Sequence, residues 1–407
     1  MSSLVTPTWD EDYDPTDITK IVLNAEQQNL VHELNQFLSS GRQIFRADGA
    51  AGTGKSTTVA IWAAAAVKAG YELALAAPTN KATRNLRSFS RKISRTAQIR
   101  VATIFSLLGL IMDKSGEARE LRSTESDRLR GVDILVVDEW SMINDSLMNH
   151  LLRYLALNPA LKVIFMGDPY QIPPVGQEES SVCQYECDAR LTKVERHDNQ
   201  ILTLATYLRE CIDNGTTPTM KSDYDEAGGV FVLRSADWYK QMRKAFSSQG
   251  YIENGDAFKA IAWRNAIVDD HNETIREAMY GDKPGIPFEI GERVVAKGPV
   301  LDMEVFIQDG MENFSMTTDE EARVLAILVR NHPVFTDIEV YDVRLELEDG
   351  ETATAYLPTR AGRREYQRMD LALSNAAKKE KRKWADFWQF KGCFADVVPC
   401  HALTGHR

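Results

Sequence analysis

From about residue 23 to residue 178, short apolar runs alternate with amphipathic stretches, the pattern of a parallel α/β sheet. Residues 44–47, 73–77, 134–137 and 163–166 read as strands. Residues 56–69 read as a helix, with Lys68 in its last turn and Gly70 just past its end as stop signals. The rhythm breaks at 109–131, a polar and charged stretch with a turn at Lys114-Ser115-Gly116, which predicts a small insertion. A second α/β unit begins near residue 190, with a strand at 258–262 and a helix from about Ala266 to Tyr280, ended by Gly281. Residues 288–358 turn β-rich (IGERVVAKG, ARVLAILV, YDVRLELEDGETATAYL), and Asp349-Gly350 is a hairpin turn. This predicts a small barrel inserted in the second unit. Residues 359–391 are basic, aromatic and predicted helical, while residues 1–20 read as an acidic, solvated tail.

A chain of 407 residues is longer than one hydrophobic core usually holds, so at least two domains are expected. The longest apolar run, 59–67, is far short of a membrane span, and the N-terminus lacks a charged-then-apolar signal pattern. The expected compartment is therefore cytoplasmic. The five cysteines are irregularly spaced, and no second Cys/His pair complements Cys183 and Cys187 as zinc ligands, so they read as free thiols. A net charge of −11 weighs against a passive nucleic-acid binder, which gains affinity by releasing phosphate counterions. Any nucleic-acid track must be locally basic or aromatic on an acidic body.

The chemistry is concentrated in three segments. Gly49, Ala50, Ala51, Gly52, Thr53, Gly54, Lys55, Ser56 and Thr57 match G-x-x-x-x-G-K-[ST] between a predicted strand and a predicted helix. The glycines let backbone N–H groups wrap phosphates, and the helix N-terminus adds partial positive charge. Lys55 is expected to hold the β- and γ-phosphates of ATP, and the Ser56 hydroxyl to bind Mg²⁺. In ILVVDEWSM (134–142) an apolar strand delivers two adjacent carboxylates. Asp138 is expected at Mg²⁺, and Glu139 is expected to orient or deprotonate the attacking water. In FMGDPYQIPPV (165–175) Gln171 sits on a loop stiffened by Pro169, Pro173 and Pro174, where a neutral amide can sense the γ-phosphate.

The segments GAAGTGKST, APTNKA, VVDEWSM, GDPYQIPPV and LTKVERHD, in this order, resemble superfamily 1 DNA helicases of the RecD/Dda type, nearest to the Dda helicases of T-even phages. The resemblance covers roughly residues 22–407 and its motif set is specific. It implies two RecA-like P-loop domains with ATP between them. Domain 1A would span 21–108 and 132–180, with a β-hairpin pin at 109–131. Domain 2A would span 181–287 and 392–407, with an SH3-like insertion at 288–391. The family's adenine-reading glutamine matches Gln27, and its arginine that reaches the γ-phosphate matches Arg196.

The same resemblance implies a DNA track. Pro78, Thr79 and Asn80 would meet the sugar-phosphate backbone, with Asn80 where family members often carry histidine. Phe105 takes a histidine place in a Thr-x-His pattern, where it can stack on a base or simply fill the core. Trp384 and Trp388, four apart and preceded by Lys381, Arg382 and Lys383, match a WxxxW single-strand platform, although this spacing also suits a core pair. Leu121 falls at the tip of the pin by length matching; the alternative is a solvated hairpin. Thr404 and His406 match a motif that in the family continues with Gln-Gly, then a last strand, a last helix and a further arginine. The chain ends before these, at Arg407, which reads as a truncation, a natural fragment or a chain completed by another polypeptide; as it stands it is expected to bind ATP.

The resulting expectation is a monomeric, ATP- and Mg²⁺-dependent 5′→3′ DNA helicase acting in replication, recombination or repair. Its partners would be single-stranded and forked DNA and replication or single-strand-binding proteins, with no membrane, and its place the host cytoplasm if phage-encoded. Two rival readings are a P-loop ATPase that remodels proteins and a non-catalytic single-strand-binding fragment.

Overall fold

The computed structural model describes residues 21–93, 99–112, 118–120, 128–194, 200–226, 228–281, 287–310, 313–347 and 350–404, and the chain divides into two compact units after Val232. In the first unit, β1 (Ile44–Gly49), β2 (Leu73–Ala77), β3 (Arg100–Thr103), β4 (Ile134–Val137), β5 (Lys162–Gly167) and β6 (Ala189–Leu191) form one sheet. Its order is β3-β2-β4-β5-β1-β6 and every pairing is parallel. Period-two alternation sends successive side chains to opposite faces. Leu73, Leu75, Ile134, Val136, Ile164 and Met166 pack on one side, and Ala74, Ala76, Leu135, Val137, Val163 and Phe165 on the other. The first face is covered by α1 (Ala25–Ser39), α2 (Lys55–Lys68) and α3 (Asn80–Ile93), and the second by α4 (Asp145–Leu157). The four strands read from the apolar runs are those observed, β1 and β5 each running on to its glycine.

β1 also carries two buried charged residues, Arg46 and Asp48, which satisfy each other. The guanidinium donates to both carboxylate oxygens at 2.8 and 2.7 Å, then to Cys183 O and Tyr185 O, and lies over the Trp140 ring. A buried charge is tolerated only with such partners. Beyond the boundary expected at residue 180, β6 hydrogen-bonds to β1 and so continues the first sheet. α5 (Gln200–Asp213) follows. Leu110–Met112 and Ala118–Glu120 pair as an antiparallel hairpin within the predicted insertion; Leu121 lies outside the described residues.

In the second unit, β7 (Ala260–Ala262) is shorter than the run at 258–262 suggested, and α6 (Asn265–Tyr280) follows it. The β-rich stretch gives β8 (Arg293–Ala296), β9 (Glu321–Asn331), β10 (Glu339–Leu347) and β11 (Thr352–Pro358), in an antiparallel sheet of order β11-β10-β9-β8. Gly350, with φ +86°, supplies the left-handed turn between β10 and β11. The basic segment forms α7 (Arg363–Lys379) and α8 (Trp384–Gly392). β12 (Val397–Pro399) then joins the same sheet beside β8, past the boundary expected at 391. β13 (Ala402–Thr404) pairs in parallel with β7. Asn272 of α6 clamps it, its Oδ1 accepting from Ala402 N at 2.8 Å and its Nδ2 donating to Ala402 O at 3.3 Å. The buried His401 ring bridges Tyr251 Oη (2.8 Å) and the Glu292 carboxylate (3.1 Å). None of the five cysteines forms a disulfide, and among the described residues no helix is long and apolar enough to cross a membrane.

Candidate nucleotide site

β4, β5 and β1 are adjacent and parallel, with Val137 opposite Phe165 and Asp48 opposite Gly167. Their carboxyl ends therefore bring the three chemistry-bearing loops together, where open α/β sheets place their ligands. Gly52 and Gly54 take φ +84° and +83°, which only glycine adopts without strain. Gly49 is close-packed: a β-carbon there would lie 2.9 Å from both Leu191 O and Thr53 Oγ1. Thr53 is buried, and its hydroxyl donates to Ala50 O at 2.9 Å, cross-bracing the loop. Gly54 leads directly into α2, so Lys55, Ser56 and Thr57 form its first turn, with Ala51 exposed at the loop tip.

Lys55 is buried, and its Nζ donates to Gly49 O and to Ala50 O (2.9 Å). Burial pulls its ammonium below the ordinary lysine range, while the carboxylates of Asp168, Asp138 and Glu139 oppose the shift. Burial also raises Asp138, whose Oδ1 accepts from Glu139 N at 2.9 Å. Glu139 is pushed up to about 7, first by burial and then by the neighbouring Asp138. Its backbone is left-handed (φ 56°, ψ 43°) where the strand passes into a 3₁₀ turn at Trp140–Met142. Asp168 is buried; its Oδ1 accepts from Tyr170 N (3.1 Å) and its Oδ2 from Arg209 Nη2 (2.8 Å). Gln171 N donates to Asp168 O at 3.1 Å, closing a tight turn that carries the half-buried Gln171 side chain.

Gln27 packs on the same loop. It completes a capping box with Asn24 at the start of α1, and its Nε2 donates to Thr53 O at 3.1 Å. By donor count, one amide N–H and one carbonyl lone pair remain for a base edge. These residues fit a nucleotide triphosphate with Mg²⁺: a glycine-rich loop on a helix N-terminus, a buried lysine, and the Ser56 hydroxyl with Asp138. Among the described residues no three His, Cys, Asp or Glu side chains form a metal cage. Mg²⁺ needs none, because phosphate and water oxygens complete its six ligands.

The residues expected at DNA are spread over both units. Pro78, Thr79 and Asn80 follow β2, and Thr79 Oγ1 caps α3 by accepting from Ala82 N at 3.2 Å. Ala77 pairs with Thr103, so the Phe105 segment leaves the next strand end, and Phe105 packs partly against the core. In the second unit the Trp384 and Trp388 rings stack 6.0 Å apart, with Trp388 exposed. Thr404 closes β13. Arg196 and His406 lie outside the described residues. Sequence reasoning passed over Arg209 and Tyr170, whose partners are 41 and 43 residues away and leave no local signal.

A family model described as an AAA domain matches residues 22–230. The chain belongs to the AAA domain family. That AAA match takes in Gln27, the phosphate loop, Asp138, Glu139, Gln171 and Arg209. The ATP-dependent RecD2 DNA helicase of Deinococcus radiodurans is 34% identical over 176 residues, 43% of this chain and 22% of that protein. The RecBCD enzyme subunit RecD of Buchnera aphidicola (Schizaphis graminum) is 32% identical over 183 residues, 41% of this chain and 29% of that protein. An uncharacterised protein of Acanthamoeba polyphaga mimivirus is 26% identical over 297 residues, 64% of this chain and 57% of its own length. The chain thus spans between 22% and 57% of these three curated relatives. Among solved structures, the Pif1 helicase from Candida albicans aligns with a TM-score of 0.51 at 16% identity, covering 95% of this chain and 85% of that one. A structure of two Pif1 helicases unwinding forked DNA gives the same TM-score at 15% identity, covering 95% of this chain and 83% of that one. The fold is therefore that of a P-loop helicase domain.

Proposed function

We propose that this chain is the motor portion of a superfamily 1 DNA helicase of the RecD/Dda type, moving 5′→3′ on single-stranded DNA and opening forked duplex at the expense of ATP. The observation that carries this reading is the convergence of Lys55, Asp138, Glu139 and Asp168 at the ends of three adjacent parallel strands. The RecD relatives and the order of the motifs support a DNA motor over a protein-remodelling ATPase. The insertion at 109–131, which holds the paired strands 110–112 and 118–120, is proposed as the strand-separating pin, and residues 288–391 as an SH3-like insertion that presents Trp384 and Trp388.

Lys55 and the N–H groups of 52–57 would hold the β- and γ-phosphates, and Ser56 and Asp138 would hold Mg²⁺. The metal, when bound, neutralises phosphate charge and polarises the γ-phosphoryl group. Glu139 accepts a proton from the attacking water as the new P–O bond forms and the bond to the β–γ bridging oxygen breaks, leaving ADP and phosphate. Gln171 sits where the loss of phosphate is felt, Arg196 would meet the γ-phosphate, and Gln27 would read adenine.

Phosphate release measured with and without oligo-dT tests the reading. Stimulation by DNA, abolished in Lys55→Ala, is expected. Equal rates with and without DNA would remove the motor assignment, while turnover that survives Lys55→Ala would remove the nucleotide site.

A further inference from the structure

We infer that Arg209 is a positioning residue which, together with Tyr170, fastens the Gln171 turn to α5, so that the nucleotide site and this helix move as one. The inference deepens the helicase reading and rests on it for the identity of the nucleotide.

The argument starts from Asp168, a carboxylate exposed by only 2% at the end of β5. Such a group must be paired, and its partners come from two places. One is local: Tyr170 N, which with the Gln171 N to Asp168 O bond winds residues 168–171 into a closed turn. The other is Arg209, delivered by α5 from 41 residues further along the chain. The guanidinium also lies over the Tyr170 ring, 5.7 Å from its centre, within reach of a cation–π contact. One helical turn beyond Arg209, on the same face, Asp213 accepts the Tyr170 hydroxyl at 2.7 and 2.9 Å.

The turn is therefore gripped twice by one helix face, through Asp168 and through Tyr170. Pro169 within it and Pro173 and Pro174 beyond it remove backbone freedom on the remaining side. Gln171 cannot be displaced by a change at the phosphates without either pulling α5 or breaking one of these bonds. The same pair faces the site: Asp168 and Arg209 both act on the charge of Lys55, with opposite sign.

Hydrogen exchange of the α5 amides, measured on the full chain with and without a non-hydrolysable ATP analogue and Mg²⁺, tests this without DNA. Binding is expected to change exchange across 200–213 by about tenfold. Tyr170→Phe, which removes one hydroxyl and keeps the ring, should lose most of that response while still binding the analogue. Arg209→Gln should lose it too, and Arg209→Lys should restore part of it. Oligo-dT stimulation of phosphate release should fall in parallel, by about tenfold in the two deficient variants. The inference is overturned if the analogue binds and leaves α5 exchange unchanged, or if Tyr170→Phe and Arg209→Gln both respond like the unmodified protein. It is also overturned if Arg209→Gln raises the KM for ATP by tenfold or more with the α5 response intact, since Arg209 would then touch the triphosphate itself. Absence of DNA stimulation in the unmodified chain, with the α5 response present, would sink the helicase reading and leave this one standing.

Discussion

Gly167 lies flat against the Trp140 indole, so close that a β-carbon at residue 167 would sit 2.7 Å from Cδ1 and 2.9 Å from Nε1. The ring is fully buried and cannot swing aside. Gly167→Ala should therefore force strain into the core, costing about 1–3 kcal/mol. Because Trp140 directly follows Glu139, turnover should fall further than ATP affinity. Thermal melting together with steady-state kinetics checks both, and an unchanged melting temperature would contradict the packing.

The phosphate loop allows a sharper comparison at Gly54. A β-carbon there meets Gln27 Nε2 at 2.5 Å, and the backbone is left-handed at φ +83°. The steric conflict can be relieved by shortening residue 27, whereas the left-handed cost of about 1–2 kcal/mol cannot. Gly54→Ala combined with Gln27→Ala should thus still melt lower than Gln27→Ala alone. Full recovery in the double variant would assign the effect to the contact alone.

In the second unit, His332 is buried with both ring nitrogens engaged. Nδ1 accepts from Val334 N and Phe335 N, each at 3.1 Å, and Nε2 donates to Cys393 O at 3.1 Å. Burial lowers its pKa from 6.5 to about 4. The folded state thus binds fewer protons than the unfolded one, so stability is full above pH 6.5 and declines as the pH falls towards 4. The loss is at most about 3 kcal/mol. Denaturant titrations between pH 7 and pH 4.5 should show this slope, and His332→Gln should flatten it.

Trp384 and Trp388 stack with only a 21° tilt, and Trp388 is 42% exposed, whereas Phe387 between them is buried. Phe387 meets the core in this segment, and the tryptophan pair is proposed as the single-strand platform. Trp388→Ala should weaken single-strand binding by about 1–3 kcal/mol with little change in melting temperature. A large loss of stability at unchanged DNA affinity would return Trp388 to the core.

The fold of the first unit was legible because its signals are local. The apolar runs of β2 and β4 and the glycines flanking Lys55 are set by neighbours in sequence. The antiparallel sheet of the second unit announced itself through alternation. Membership of β6 and β12 was not legible, since strands of three residues carry too little pattern to reveal a partner. The residues of the proposed nucleotide site were read from motif spacing, except Gln27 and Arg196, which the family resemblance alone supplied. Arg209 was not, because an arginine in the middle of an amphipathic helix looks the same whether it faces water or a carboxylate 41 residues away.

The left-handed backbone of Glu139 sets thermal robustness against turnover at a single position. Asparagine or glycine would relax that conformation and remove a buried acid whose pKa the neighbouring Asp138 helps to raise. Glu139→Asn should consequently melt higher than the unmodified protein and hydrolyse almost nothing. Selection for heat tolerance alone would favour loss of this carboxylate, so a library screened only for stability would be expected to return variants that lack Glu139.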